Sequence, residues 1–136
     1  MYKRQQYFSL QTSGRRTAHV EGMLPTHLHH LDALRLDMFD PAVSPKLVPR
    51  DLRDNCRAPF WWRLNAMQVR DFSREQVRRF VFDAVADGAS GVFCTIGRIM
   101  VTQDAADKVH IFIGAAKQIA QLLDEGCPRE RLRDYV

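Results

Sequence analysis

His27, His29 and His30 are the first residues whose type and spacing could do chemistry. On a helix, His27 and His30 share one face and His29 is turned away. Two imidazoles a turn apart can hold zinc once a third or fourth ligand joins them, and Asp32 and Asp37 are the nearby candidates. Neither completes a familiar metal spacing such as His-Glu-x-x-His. The plainer reading is a polar helix start capped by His27 or His30, so neither metal nor any other cofactor is expected.

Catalysis is poorly supported. A general acid or base needs a carboxylate or imidazole displaced from its ordinary pKa inside a cleft. Asp32, Asp37, Asp40, Asp51, Asp54, Asp71, Asp83 and Asp87 are mostly spaced to pair with nearby arginines, and nothing singles one out. Gly88, Gly91 and Gly97 lack the Lys-Ser/Thr ending of a phosphate loop, and Gly88-Ala89-Ser90-Gly91 is not a Gly-x-Ser-x-Gly elbow. The three cysteines, Cys56, Cys94 and Cys127, form no Cys-x-x-Cys pair. Cys94, among Val92, Phe93 and Ile96, reads as a small buried apolar residue. An odd cysteine count and a polar, aromatic Met1 to Ser13 without a signal-like apolar core point to free thiols in the cytoplasm. No catalytic residue is assigned, and the chain is not expected to be an enzyme.

Cations interleaved with flat rings are the stronger signal. Arg57, Trp61, Trp62, Arg63 and Arg70 mix groups that neutralise phosphates with groups that stack on bases. Arg74 and Arg78 extend the set along one helical ribbon, with Arg15, Arg16 and Arg98 as further candidates. Of 20 basic residues only Lys3, Lys46, Lys108 and Lys117 are lysines, so the net charge of +4 is carried almost wholly by guanidinium groups. These planar forks suit phosphate, carboxylate and aromatic faces; arginine-rich codon usage would give the same count. The expected function is therefore non-enzymatic, cytoplasmic and regulatory: an Arg–aromatic surface contacting nucleic acid or a nucleoprotein complex. The alternative is a protein-only inhibitor or adaptor meeting an acidic surface of a larger assembly, since Trp and Arg also anchor protein interfaces. Packing in the core remains an equally open role for both tryptophans.

The elements that must position these residues are legible in part. At 136 residues the chain fits one domain, spanning 1–136, with enough core to fold without disulfides. No apolar run reaches the about 18 residues of a membrane span, so no membrane association is expected. Tyr7, Phe8 and Leu10 suggest a short strand, with Thr17 to Val20 pairing back as a hairpin. Leu24, Leu28, Leu31, Leu34 and Met38 recur at helical steps and predict a helix over Pro25 to Phe39, stopped by Pro41. Pro41, Pro45, Pro49 and Pro59 make about 40–59 a connector, with one helical turn around Arg50 to Asp54.

Ser73 and Gln76 form a reciprocal capping box, stapled by Phe72 and Val77, for a helix over Ser73 to Ala86 that ends at Gly88. Its apolar face is Val77, Phe80, Val81, Ala84 and Val85, and Arg79 and Asp83 are spaced as an exposed ion pair. Gly97-Arg98 between two β-branched runs predicts a hairpin over 91–103. The rival is a helix over Ser90 to Ile99, read as the recognition helix of a helix-turn-helix. Asp104 to Glu125 is the longest helix, with Ala105, Val109, Phe112, Ala116, Ile119 and Leu123 on one stripe and Ala106, Ile113 and Ala120 widening it. That stripe could also pair with its copy in a homodimer through residues 104–125. The expected fold is α+β, a single domain with a small antiparallel sheet or hairpins packed against two or three helices. A mostly α fold with a helix-turn-helix is the alternative.

Overall fold

The computed structural model describes residues 14–97 and 102–136. Among the described residues, four short strands and four α-helices make up the α+β architecture, with 3-10 turns between them. Strands β1 (Thr17–His19) and β2 (Met38–Asp40) form one ribbon, and β3 (Trp61–Leu64) and β4 (Gly91–Cys94) a second. Both ribbons are parallel, which corrects the expectation of antiparallel pairing. Parallel neighbours need a crossover, and each ribbon has one: 3-10 turns at Pro25–His30 and Asp32–Leu34 separate β1 from β2, and helices α2 (Ala66–Asp71) and α3 (Arg74–Ala86) separate β3 from β4. A single parallel bridge from Phe39 to Phe60 joins the ribbons.

One sequence expectation and one alternative change here. The Pro25–Phe39 helix is instead two 3-10 turns followed by β2, because Arg35 turns left-handed (φ 49°) and releases the chain. Leu28, Leu31 and Leu34 are spaced by threes, the period at which a 3-10 helix aligns its side chains, and all three are buried. Thr17 to His19 pairs with β2; its proposed partner around Tyr7 to Leu10 lies outside the described residues. Gly91 to Cys94 is a strand, which removes the recognition helix of the helix-turn-helix reading. It pairs with β3, and the second arm of the proposed 91–103 hairpin falls largely on residues 98–101, outside the described residues.

The connector folds around α1 (Pro49–Asn55), whose Leu52 is fully buried. Ser73 caps α3 as expected: its Oγ accepts from Gln76 N while Gln76 Oε1 accepts from Ser73 N. Gly88 takes φ +107° after the helix, and a Cβ there would come within 2.9 Å of the Arg53 side chain, so glycine serves both backbone and packing. Val77, Val81, Ala84 and Val85 are buried as expected and Phe80 half-buried, with Phe82 and Ala86 also inside. Arg79 meets Glu75 at 3.9 Å, while Asp83 is taken by Arg133 at 2.9 Å. Helix α4 (Gln103–Asp124) is capped by Thr102 and turns Ala105, Phe112, Ala115 and Ile119 inward, while Ala106, Ile113 and Ala120 are exposed. No described helix is long and apolar enough to cross a membrane.

Two apolar clusters follow from this layout. Helices α3 and α4 enclose one with Leu64, Val69 and Leu132. The other gathers Met23, Leu28, Leu31, Leu34, Leu52, Phe39 and Phe60. Val92 touches both.

Candidate binding surface on the outer sheet face

Alternation along the strands divides the sheet residues into two sets. Ala18, Phe39, Phe60, Trp62, Leu64, Val92 and Cys94 pack into the two clusters. Thr17, His19, Met38, Asp40, Trp61, Arg63, Gly91 and Phe93 take the opposite parity, and Met38, Trp61 and Phe93 belong to neither cluster. Strands buried on both faces are the rule in parallel sheets, so an exposed indole here is unusual. Trp61 is 44% exposed.

Register lines up a polar row across this outer face. His19 pairs with Asp40 and Arg63 with Phe93. His19 Nδ1 lies 2.6 Å from Asp40 Oδ2, and Arg63 Nη2 donates to the same oxygen at 2.8 Å. Asp40 Oδ1 accepts from Ala42 N at 2.8 Å, which fixes the carboxylate. The Arg63 guanidinium sits 4.7 Å over the Phe93 ring, and the Trp61 ring centroid is 5.9 Å from that of Phe93. Such cation–ring contacts contribute about 0.5–1 kcal/mol when exposed and more when shielded. Arg63 Nε is buried and has no hydrogen-bond partner among the described residues. Gly91 makes room for the indole, since a Cβ there would sit 2.9 Å from both Cδ1 and Nε1 of Trp61.

Of the residues expected to form one surface, only Trp61 and Arg63 share this face. Trp62 has the opposite parity, half-buried in the second cluster and edge-on to Phe60 with centroids 6.4 Å apart. Arg57 extends into solvent with its Nε 3.6 Å from Asp32. Arg70 pairs with Asp71 at 2.6 Å, and Arg74 with Asp107. Arg78 donates to Gln118 Oε1 and to the Tyr135 carbonyl, and covers the Phe82 ring. The Arg74–Arg78 ribbon is thus engaged within the fold, tying α3 to α4 and to the 3-10 turn at Arg129–Tyr135. Arg16 donates its backbone N–H to Asp37, and Arg98 lies outside the described residues.

The histidines gather no metal site: among the described residues no group of three or more His, Cys, Asp or Glu is placed to hold an ion. His27 Nδ1 accepts from Leu24 N at 3.3 Å, and the His29 and His30 rings lie 3.7 Å apart. All three cysteines are free thiols, and burial raises the pKa of Cys56 and Cys94. Burial alone would raise that of Asp87, but hydrogen bonds from Arg133 and Arg50 outweigh it, and its carboxyl ends below the ordinary value. Asp71 is also lowered, chiefly by its hydrogen bond from Arg70.

Sequence reasoning missed Phe93, Asp40 and His19. Parity could have coupled Phe93 to Trp61 and Arg63 once β3 and β4 were paired. No local signal links His19 or Asp40 to Arg63. No protein-family model, curated protein or solved structure matches this chain.

Proposed function

We propose that the chain is a non-enzymatic, cytoplasmic regulatory protein that contacts nucleic acid, alone or within a nucleoprotein complex, through the outer sheet face. The exposed Trp61 indole beside Arg63 and Phe93 carries the reading. A flat ring on an accessible sheet face stacks on unpaired bases, worth about 1–3 kcal/mol per base, and the neighbouring guanidinium favours the phosphate backbone. Single strands are therefore the favoured target. Because Arg63, Arg70 and Arg74 already face acids, few counterions leave on binding, and the salt dependence is shallow for so arginine-rich a chain.

The test is fluorescence anisotropy of dye-labelled single-stranded DNA and RNA titrated with the protein at low salt. Binding is expected, and Trp61→Ala should weaken it about tenfold or more, as loss of one stacked base predicts. No binding at low salt, or equal binding by the variant, overturns the proposal. The same acid pairing of the arginines favours a second reading, a protein-only inhibitor or adaptor in which Trp61 anchors an interface. In that case capture of a protein partner depends on Trp61 and survives nuclease treatment.

A further inference from the structure

Strand direction gathers arginines that lie far apart in the sequence. Both ribbons and the Phe39–Phe60 bridge are parallel, so the N-terminal ends of β1, β2 and β3 lie at one edge of the sheet. Arg15 and Arg16 precede β1, Arg35 precedes β2 and Arg57 precedes β3. Hydrogen bonds hold these approaches together. Asp37 N donates to the Arg16 carbonyl, Phe39 N to that of Pro59, and Arg57 N to Asp32 Oδ1, each at 2.9 Å.

The guanidinium groups at this edge are open where the others are engaged. Among the described residues, the side chains of Arg15, Arg16 and Arg35 make no hydrogen bond or ion pair. Residues 1–13 and 98–101 contain no acid that could supply one. The Arg57 side chain is 94% exposed, with Asp32 no nearer than 3.6 Å. Away from this edge every described arginine except Arg79 has a hydrogen-bonded side chain. The acids here are Asp32 and Asp37, and each already accepts a backbone N–H, from Arg57 and Arg16. Four guanidinium groups against two carboxylates leave an excess of two positive charges, in a chain whose net charge is +4.

Two clefts carry this charge toward the outer sheet face. Arg35 and Arg57 line one of about 210 Å³ with Asp32, and Arg15 lines another with Thr17, Asp37 and Met38. Thr17 and Met38 have the outer parity, so the second cleft opens on the side of the sheet that carries Trp61. Arg57 and Trp61 are four residues apart, at most about 14 Å of chain. A ring that holds a base beside cations that hold the backbone is the combination a single strand requires. A chain of carboxylates would meet the same cations and leave the indole unused.

We propose that the sugar–phosphate backbone of a bound single strand runs along the N-terminal edge of the sheet, on Arg57, Arg35 and Arg15, beside the base held by Trp61. This path rests on the nucleic-acid reading above.

The experiment titrates dye-labelled oligothymidine of about twelve nucleotides, and dye-labelled inorganic polyphosphate, with the full chain from about 50 to about 200 mM salt. Each phosphate contact to a single strand adds about 0.7 to the slope of log Kd against log salt, so the triple variant Arg15→Gln, Arg35→Gln, Arg57→Gln should lose about 2. All three side chains are exposed, so the fold should be kept. The triple variant should bind oligothymidine about tenfold or more weakly at low salt, approach the parent at high salt, and lose polyphosphate. Trp61→Ala should instead weaken oligothymidine by the same factor at every salt concentration and bind polyphosphate as the parent does. Arg79→Gln removes the same charge from α3 and should match the parent with both polymers.

An unchanged slope or retained polyphosphate binding in the triple variant overturns the proposal. So does an equal loss of slope in Arg79→Gln, or polyglutamate that binds more tightly than oligothymidine. Failure of the stacking reading looks different: Trp61→Ala then binds oligothymidine as the parent does while the triple variant still loses slope, which refutes the role of Trp61 and upholds the edge. A parent that does not bind oligothymidine refutes both.

Discussion

Removing the Asp87 carboxylate disconnects three parts of the chain at once. Its Oδ1 accepts from Arg50 of α1 at 3.1 Å, and its Oδ2 lies 2.7 Å from Nη2 of Arg133 in the C-terminal 3-10 turn. Asp87 itself follows α3 and is only 15% exposed at the side chain. The Arg50 pair, with its guanidinium 57% exposed, is worth about 0–1 kcal/mol. The Arg133 pair is better shielded, and breaking a charged hydrogen bond of this kind costs about 1.5–3 kcal/mol, reduced here because Arg133 keeps Asp83. Asp87→Ala should therefore destabilise by about 2 kcal/mol, and Asp87→Asn by somewhat less because one acceptor oxygen remains.

Urea denaturation measures this as a lower midpoint with unchanged slope. The effect must also depend on pH. The folded pKa lies below the ordinary 3.8, so the stabilisation is complete above that value and fades as pH falls through the folded pKa. The gap between parent and Asp87→Asn should be constant from about pH 7 to about pH 5 and close toward about pH 2. A gap under about 0.5 kcal/mol at neutral pH, or one that persists in strong acid, refutes the reasoning.

Gly91→Ala should push the Trp61 ring off the sheet, because the new methyl meets Cδ1 and Nε1 at 2.9 Å. The indole is half exposed and free to swing, so the stability cost is about 1 kcal/mol or less. In a Trp62→Phe background the emission of Trp61 should move to longer wavelength, and an unchanged spectrum contradicts the contact. Cys56 and Cys94, raised by burial, should react with a disulfide reagent more slowly than a free thiol, with urea abolishing the difference. Three equally fast thiols in the folded chain would contradict this.

Features written within a few residues of one another were readable from sequence. Ser73 with Gln76 predicts the start of α3, Gly88 its end, and Ala105, Phe112 and Ile119 the buried face of α4. Leu28, Leu31 and Leu34 correctly mark a buried face, but steps of three suit a 3-10 turn as well as an α-helix, and the left-handed Arg35 has no sequence signature. Strand pairing was hidden for a different reason. A hairpin announces itself in its turn, whereas β1 meets β2 across twenty-one residues, with no short motif fixing the pair. The candidate surface shows the same division. Trp61 and Arg63 stand out in the sequence, and their alternation predicts a common face. His19 and Asp40 join them only through a parallel register that no spacing reveals.

The clasp at the end of the described chain bears on how the protein is made. Leu132 is fully buried, Arg133 grips Asp83 and Asp87, Arg129 donates to the carbonyls of Val85 and Ala89, and Tyr135 receives Arg78. These partners of α3 are made after the helix, so until they emerge Asp83 lacks Arg133 and part of the helix's apolar side stays wet. A nascent chain stalled before residue 129 lacks the latch and holds α3 without it.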